Sequence, residues 1–418
     1  MTQRQSGPSQ SYDAAIIGAG PAGAATATYM ARAGLRVALL DRATFPRDKP
    51  CAEYLSPAVE PLLADLGVLD DIEASHPARL RGFRVFTADG RMFQGDFAGA
   101  TTGQSGARFQ TGLAVTRRKL DAALVRAAGS AGATVLEGRR VSGFDWEADS
   151  RLWRLSTGSG GAEEQLTARV LVGADGVHSL VARRLGLRQE SRMRKVAIVA
   201  HVRGIESLGD YGEMHIANHR YVGLAPLEQP GRDPVCNVAM VVDERREARA
   251  LAGQPQEYLL KALKTFPCLR DRVSALTIVR PALTTSRMCA RVRRLSTEGA
   301  LLAGDAAGYY DPFTGEGIYR ALRSAQLASD TAVRALERGD VSAGRLYAYD
   351  RAYVSAFRGK RAVEMVIQAA VQSPLLMRYV AARLEKRKRL ADIVVGITGD
   401  FLSPAVALRP EFLLGLLV

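Results

Sequence analysis

The segment YDAAIIGAGPAGAATATYMARAGLRVALLDR, residues 12 to 42, constrains this chain more than any other stretch. Its apolar AAII reads as a buried parallel strand and GAGPAG as a tight turn. The alanine-rich stretch ending at Gly34 reads as a helix, and VALLD as the next strand. The glycines of the turn serve different ends. Gly18 allows the sharp bend, Gly20 lets backbone approach a pyrophosphate, and Gly23 permits close helix–strand packing. Ala22 belongs to the same cofactor-facing turn. The helix N-terminus presents free amides and about half a positive charge to phosphates. Asp41 closes the second strand, where a carboxylate accepts hydrogen bonds from ribose hydroxyls, and Arg42 is expected along an adenine. The pattern implies dinucleotide binding.

A chain of 418 residues, 47% hydrophobic, supplies one large core or two domains sharing an interface. Cysteines 51, 236, 268 and 289 show no paired or CxxC spacing, so neither a disulfide framework nor a zinc site is suggested, and a reducing cytoplasm fits best. Residues 1–11 are polar, lack an apolar signal core, and read as a disordered tail. No apolar run approaches the roughly 20 residues of a membrane span. The formal charge of +14 has two readings. One is an arginine-rich solvated surface. The other centres on RLEKRKR, 383–389, with the apolar stretch 393–418 behind it: a peripheral contact with an anionic membrane, or with an acidic carrier protein. Nucleic acid is not an expected partner, because one short basic run without interleaved aromatics makes no recognition module. The five histidines, at 76, 178, 201, 215 and 219, form no ligand cluster, so no metal is expected.

Two further segments accompany the glycine turn: RVLVGADGVHSLVARRLG, 169–186, and GALLAGDAAGYYDPFTGEGIYRA, 299–321. A glycine motif, an Asp-Gly motif and a Gly-Asp motif in this order resemble the flavoprotein superfamily of p-hydroxybenzoate hydroxylase and geranylgeranyl reductase. The resemblance implies an α/β fold: a Rossmann-like FAD-binding domain, an antiparallel β-sheet substrate domain and C-terminal helices. The FAD domain is expected over 12–78, 107–184 and 283–345, the substrate sheet over 79–106 and 185–282, and a helical region over 346–418.

By the same resemblance, Gly304 and Asp305 meet the ribityl chain of FAD. Asp175 and Gly176 support the pyrophosphate side, with capping of the following turn as an alternative role for Asp175. Arg117 reaches the cofactor from a helix start, a place Arg118 could also take. Gly315 and Gly317 bring backbone amides to the flavin pyrimidine edge, and Ile318 opens a helix whose inner face continues through Leu322, Ala325 and Ala332. Pro312 and Thr314 would stiffen and cap this loop. Glu316 is either a functional carboxylate or simple support for the first helical turn.

The stretch FPRDKPCAEYLSP, 45–57, resembles the strap that nears flavin and substrate in geranylgeranyl reductases, with Ala52 where they carry glycine and Tyr54 as an added phenol. Cys51 and Tyr54, with Glu316, are the catalytic candidates; a small buried hydrophobe is the alternative for Cys51. Trp146 and Trp153 fall in an expected surface hairpin, and the WxWxIP stretch of flavin halogenases is absent. The expectation is a monooxygenase working through a flavin hydroperoxide on a hydrophobic phenolic or polyketide-like substrate, with NAD(P)H supplying electrons directly or through a partner reductase. Reduction of prenyl double bonds stands second and halogenation third. A flavin-binding scaffold without catalysis is the non-enzymatic alternative.

Overall fold

The computed structural model describes residues 10–100, 111–159, 162–191, 193–217, 219–228, 231, 233–251, 253–309 and 311–417. Uninterrupted apolar strands demand cover on both faces, and the main sheet obtains it. Strand Gln10–Ile17 lies between Val37–Leu40 and Ala162–Gly173, both parallel to it. Thr134–Leu136 and Ala300–Leu302 continue the parallel array on either side. The first strand begins at Gln10, which pairs with Leu166, so residues 10 and 11 are sheet and not part of a disordered tail.

Helix α1 (Pro21–Arg32) packs on this sheet through alanines with no exposed surface, Ala24, Ala25 and Ala27 among them. Such small side chains let α2 (Arg117–Ser130) and α3 (Gly317–Glu337) close in on α1. Ile318, Leu322, Ala325 and Ala332 form the buried face of α3, as their spacing indicated. The hairpin Arg140–Glu147/Leu152–Ser159 extends Ala162–Gly173 antiparallel. Its tryptophans differ: Trp146 is half-buried, while Trp153, with its ring centroid 5.2 Å away, is buried and donates Nε1–H to Gly299 O at 2.7 Å. A buried indole finds its partner in backbone the sequence places far away.

A second sheet runs in the order Thr277–Thr284, Lys195–Arg203, Cys236–Asp243, Arg220–Pro226, Gly212–Ala217, Gly82–Phe86, Met92–Asp96. Its pairings are antiparallel except one: Gly212–Ala217 runs parallel to Gly82–Phe86, so the sheet is mixed where an antiparallel one was expected. The two strands come from segments far apart in the chain, so no hairpin turn imposes an antiparallel sense on them. Odd-numbered residues of Lys195–Arg203 and Cys236–Asp243, such as Val199 and Val241, share a cluster with helices near the C-terminus. The even-numbered ones pack under Leu259 and Leu263.

Helices α4 (Ala343–Gln372), α5 (Pro374–Lys386) and α6 (Lys388–Thr398) follow, before a short last helix, Pro410–Leu417. After 393, Val395, Ile397, Leu402 and Phe412 are buried, while Leu408 and Leu414 are exposed, so the apolar stretch is divided between core and surface. Among the described residues no helix is long and apolar enough to cross a membrane.

Candidate functional site

The site grows from the ends of the parallel strands, where each glycine of the turn can be tested by the side chain it lacks. A Cβ on Gly18, whose φ is +99°, would lie 2.5 Å from Ala174 O at the end of the neighbouring strand. One on Gly23 would come within 1.7 Å of Gly18 O. Gly20 differs: its missing side chain faces open space, 3.8 Å from an Arg47 guanidinium nitrogen and 3.9 Å from one of Arg117. Two glycines therefore serve packing and one serves approach. Asp41 Oδ2 accepts the Ala19 amide at 2.8 Å and Oδ1 that of Ala43, so the carboxylate holds the turn from behind. Arg42 is exposed beside it.

Around Gly20 the charges do not balance. Arg117 is buried and grips Asp121 with two bonds, 2.7 and 2.8 Å, while Arg47 reaches the same carboxylate at 3.1 Å. Lys49 adds a third cation, 3.6 Å from where a Gly176 side chain would start. Desolvation, then the nearby Arg117, push the Lys49 ammonium below its ordinary pKa. Burial pushes Arg47 the same way. Three cations gathered around the Asp121 carboxylate at a helix N-terminus make a receptor for a diphosphate. Arg118 is not part of it; it stands exposed and pairs with Asp48.

Asp175 does two things at once. Its Oδ2 accepts the Leu180 amide at 2.6 Å, capping the short helix Leu180–Arg184, while buried Oδ1 has no partner among the described residues. Gly176 takes φ +82°. Gly304, at φ +61°, faces the Ala22 methyl at 2.7 Å from its absent Cβ, which brings Asp305 beside the glycine turn. The strand ends carrying Gly20, Asp175 and Asp305 thus converge on one groove, and the fit is to FAD: cations for the diphosphate and free acceptors for hydroxyls.

Beyond Asp305 the loop is tied down from outside. Asp311 accepts from Tyr221 OH at 2.7 Å and pairs with Lys195, fastening the loop to the second sheet. Gly315, at φ +71°, leaves room for the Tyr54 ring, whose Cδ1 lies 2.7 Å from its absent Cβ. Gly317 begins α3, behind Glu316 as N-cap. Thr314 caps no helix; its hydroxyl donates to the Glu316 carboxylate at 2.9 Å. Glu316 itself is buried within reach of Arg320, 3.5 Å, and Lys360, 3.6 Å, with Glu364 beyond them, so its carboxylate serves a buried ionic network under the loop. Burial alone would raise its pKa, but hydrogen bonding with Glu364 and the two cations hold it low. Burial and the Glu316 carboxylate push Glu364 up, while burial brings Lys360 down to about 8.

The strap residues fall differently from expectation. The positive φ that glycine would supply lies at Glu53, φ +57°, and Ala52 is not among the left-handed residues. Cys51 Sγ accepts the Glu53 amide at 3.3 Å, and burial pushes its thiol above the ordinary pKa, which leaves it protonated and a poor nucleophile. Burial raises the Tyr54 phenol as well, and its hydroxyl lacks a partner among the described residues.

Glu53 lies between the two named candidates and makes more polar contacts than either. It is fully buried; Oε1 accepts the Arg117 amide at 2.9 Å, and Oε2 meets His201 Nε2 at 2.6 Å and Asn237 Nδ2 at 2.8 Å. Arg280 approaches Oε1 at 3.8 Å. His201 and Asn237 are cross-strand partners on the face of the second sheet that bears Val199 and Val241. Asn237 Oδ1, Tyr54 OH and Arg280 Nε and Nη2 are buried without partners among the described residues. Single polar residues inside the apolar runs VAIVAHVRGI and VCNVAMVVD are the signal that could have found them. Surface clefts of about 300 Å³, lined by Asp71 and Arg126, belong to the outer side of α2 and not to this groove.

Comparison with known proteins agrees with this geometry. The family described as FAD binding domain matches residues 11–358. A digeranylgeranylglycerophospholipid reductase of Methanosarcina acetivorans is 29% identical, over 80% of this chain and 78% of its own. A 1H-pyrrole-2-carbonyl-[peptidyl-carrier protein] chlorinase of Pseudomonas fluorescens is 27% identical, over 81% of this chain and 79% of its own. A solved flavin-dependent brominase superposes with TM-score 0.79 at 20% identity, covering 95% of this chain and 97% of its own, which speaks for the fold alone.

Proposed function

The chain belongs to the FAD binding domain family and is an FAD-dependent oxidoreductase, and on that premise we propose that it hydroxylates a hydrophobic phenolic or polyketide-like molecule. The observation that carries this reading is the polar cluster at one end of an otherwise apolar wall. A buried donor or acceptor without a partner costs about 1–3 kcal/mol, so several together mark a place that a polar group of a ligand completes. A greasy molecule with one ionisable hydroxyl matches a wall of Val199 and Val241 that ends in Glu53, His201, Asn237 and Arg280.

FAD would be held by the amides at Gly20, the cations Arg47, Lys49 and Arg117, and acceptors from Asp175 and Asp305; when bound it would relay the donor's electrons and activate dioxygen. The Glu53–His201 pair takes up the phenol proton, which makes the ring more electron-rich, and Arg280 balances the phenolate charge. Tyr54 and Gly315 close the strap against the loop and keep water out. NAD(P)H is the proposed electron source; one dioxygen then gives one ring hydroxyl and one water. A second reading, saturation of prenyl double bonds, draws on the reductase relatives at 29% identity. Halogenation, drawn from the chlorinase, stands third.

The test incubates the protein, FAD and NAD(P)H with a phenolic lipid or a prenyl lipid, under air or argon, with and without bromide. Gain of one oxygen atom by the phenol under air alone supports the proposal. Prenyl saturation under argon, or a brominated phenol, replaces it.

A further inference from the structure

The exposed face of α4 and α5 is unusual for a solvated helix. Val354, Met365 and Val366 of α4 are 51%, 50% and 68% exposed, and the face continues past the corner at Ser373 with Leu375, Leu376 and Tyr379 at 81%, 42% and 42%. Exposed apolar residues scattered singly need no explanation, whereas a contiguous set on one helical corner marks an interaction surface. The exposed side of α4 also carries small residues and three arginines: Arg351, Arg358 and Arg361 have no acidic partner among the described residues. From Arg351 to Gln372 the only acid is Glu364, which is buried.

We propose that this corner rests on an anionic lipid surface. Apolar side chains enter the acyl boundary while arginine stems extend back to the headgroups, so both residue classes are satisfied at different depths. A second copy of this chain fits less well, because a two-fold contact would set unpaired arginines against arginines. The arrangement also connects to the site. The opposite face of α5, Met377, Ala381 and Leu384, packs in the same cluster as Val199 and Val241, so one helix separates the lipid surface from the apolar wall. The lipid contact goes beyond the reaction reading and does not depend on it.

The experiment is flotation of the full-length, FAD-loaded protein with phosphatidylcholine vesicles, with and without phosphatidylglycerol. Binding is expected to the anionic vesicles and to weaken with salt, since charges separated by more than about 8–10 Å are screened at physiological ionic strength. Arg358→Ala and Arg361→Ala should each weaken it about fivefold, and Val366→Ser with Leu375→Ser about tenfold or more. These positions are exposed, and the far-ultraviolet circular dichroism and flavin content of each variant report its folding. Failure to float with anionic vesicles, or variants that float like the parent, overturns the proposal. So does a vesicle-free dimer that Val366→Ser with Leu375→Ser dissociates, or an acidic protein that binds this corner while vesicles do not. Turnover is not the readout, so these outcomes are separate from failure of the hydroxylation reading.

Discussion

Gly20→Ala separates what the fold needs from what the cofactor needs. Gly20 sits at φ −69° and ψ −177°, extended backbone that alanine adopts without strain. The new methyl would stand 3.8 and 3.9 Å from two guanidinium nitrogens, ordinary contact distances. The cofactor-free protein should therefore unfold within about 0.5 kcal/mol of the parent. The same methyl occupies the side on which the diphosphate must meet the helix N-terminus. Displacing the anion weakens at least one charge-assisted hydrogen bond, worth about 1.5–3 kcal/mol, so FAD affinity should fall about ten- to hundredfold. Gly23→Ala is the control of opposite sign. Its methyl would lie 1.7 Å from Gly18 O and must push α1 off the strand, which should cost about 3 kcal/mol with or without cofactor. Urea unfolding of the apoprotein and fluorescence titration with FAD measure the two quantities. Parental FAD affinity in Gly20→Ala, or loss of apoprotein stability matching that of Gly23→Ala, would refute the reasoning.

Glu53→Gln keeps the shape of the strap but removes the charge facing His201; FAD binding should persist while phenol hydroxylation falls about a hundredfold or more, and unchanged turnover would remove Glu53 from the reaction. Arg272→Ala strips the partner of Glu213, a carboxylate buried beside His215 and bound by Arg272 at 2.8 and 3.0 Å. Leaving that charge unpaired should cost about 3–5 kcal/mol in urea unfolding, and a much smaller loss would show that the site rehydrates. The Glu364 carboxyl, raised by burial and by Glu316 above its ordinary 4.5, holds a proton in the folded chain that the unfolded chain has released. Its contribution is thus present below about pH 4.5 and lost as pH rises through the higher folded value. Glu364→Gln mimics the protonated form, so its stability should exceed the parent's on the alkaline side, with a flatter profile between; equal slopes for both proteins would contradict this.

The amino-acid order alone determined the parts whose causes are local. The strand–turn–helix from Tyr12 to Asp41 is legible because its causes lie within one turn: Gly18 bends at φ +99° and Gly23 lets α1 close on Gly18. The buried stripe of α3 follows from helical spacing in the same way. Tertiary structure decided what depends on distant partners. Arg117 pairs with Asp121 on its own helix, but Arg47, 74 residues before Asp121, joins that carboxylate only in the folded chain, and Arg118 is drawn off to Asp48, 70 residues away. Glu53 gained its place from His201 and Asn237, 148 and 184 residues away. Trp153 became a core residue because Gly299 carries the carbonyl that its indole requires. A carboxylate, an imidazole or an indole in a sequence announces a need for a partner, and only the folded chain brings that partner within about three ångströms.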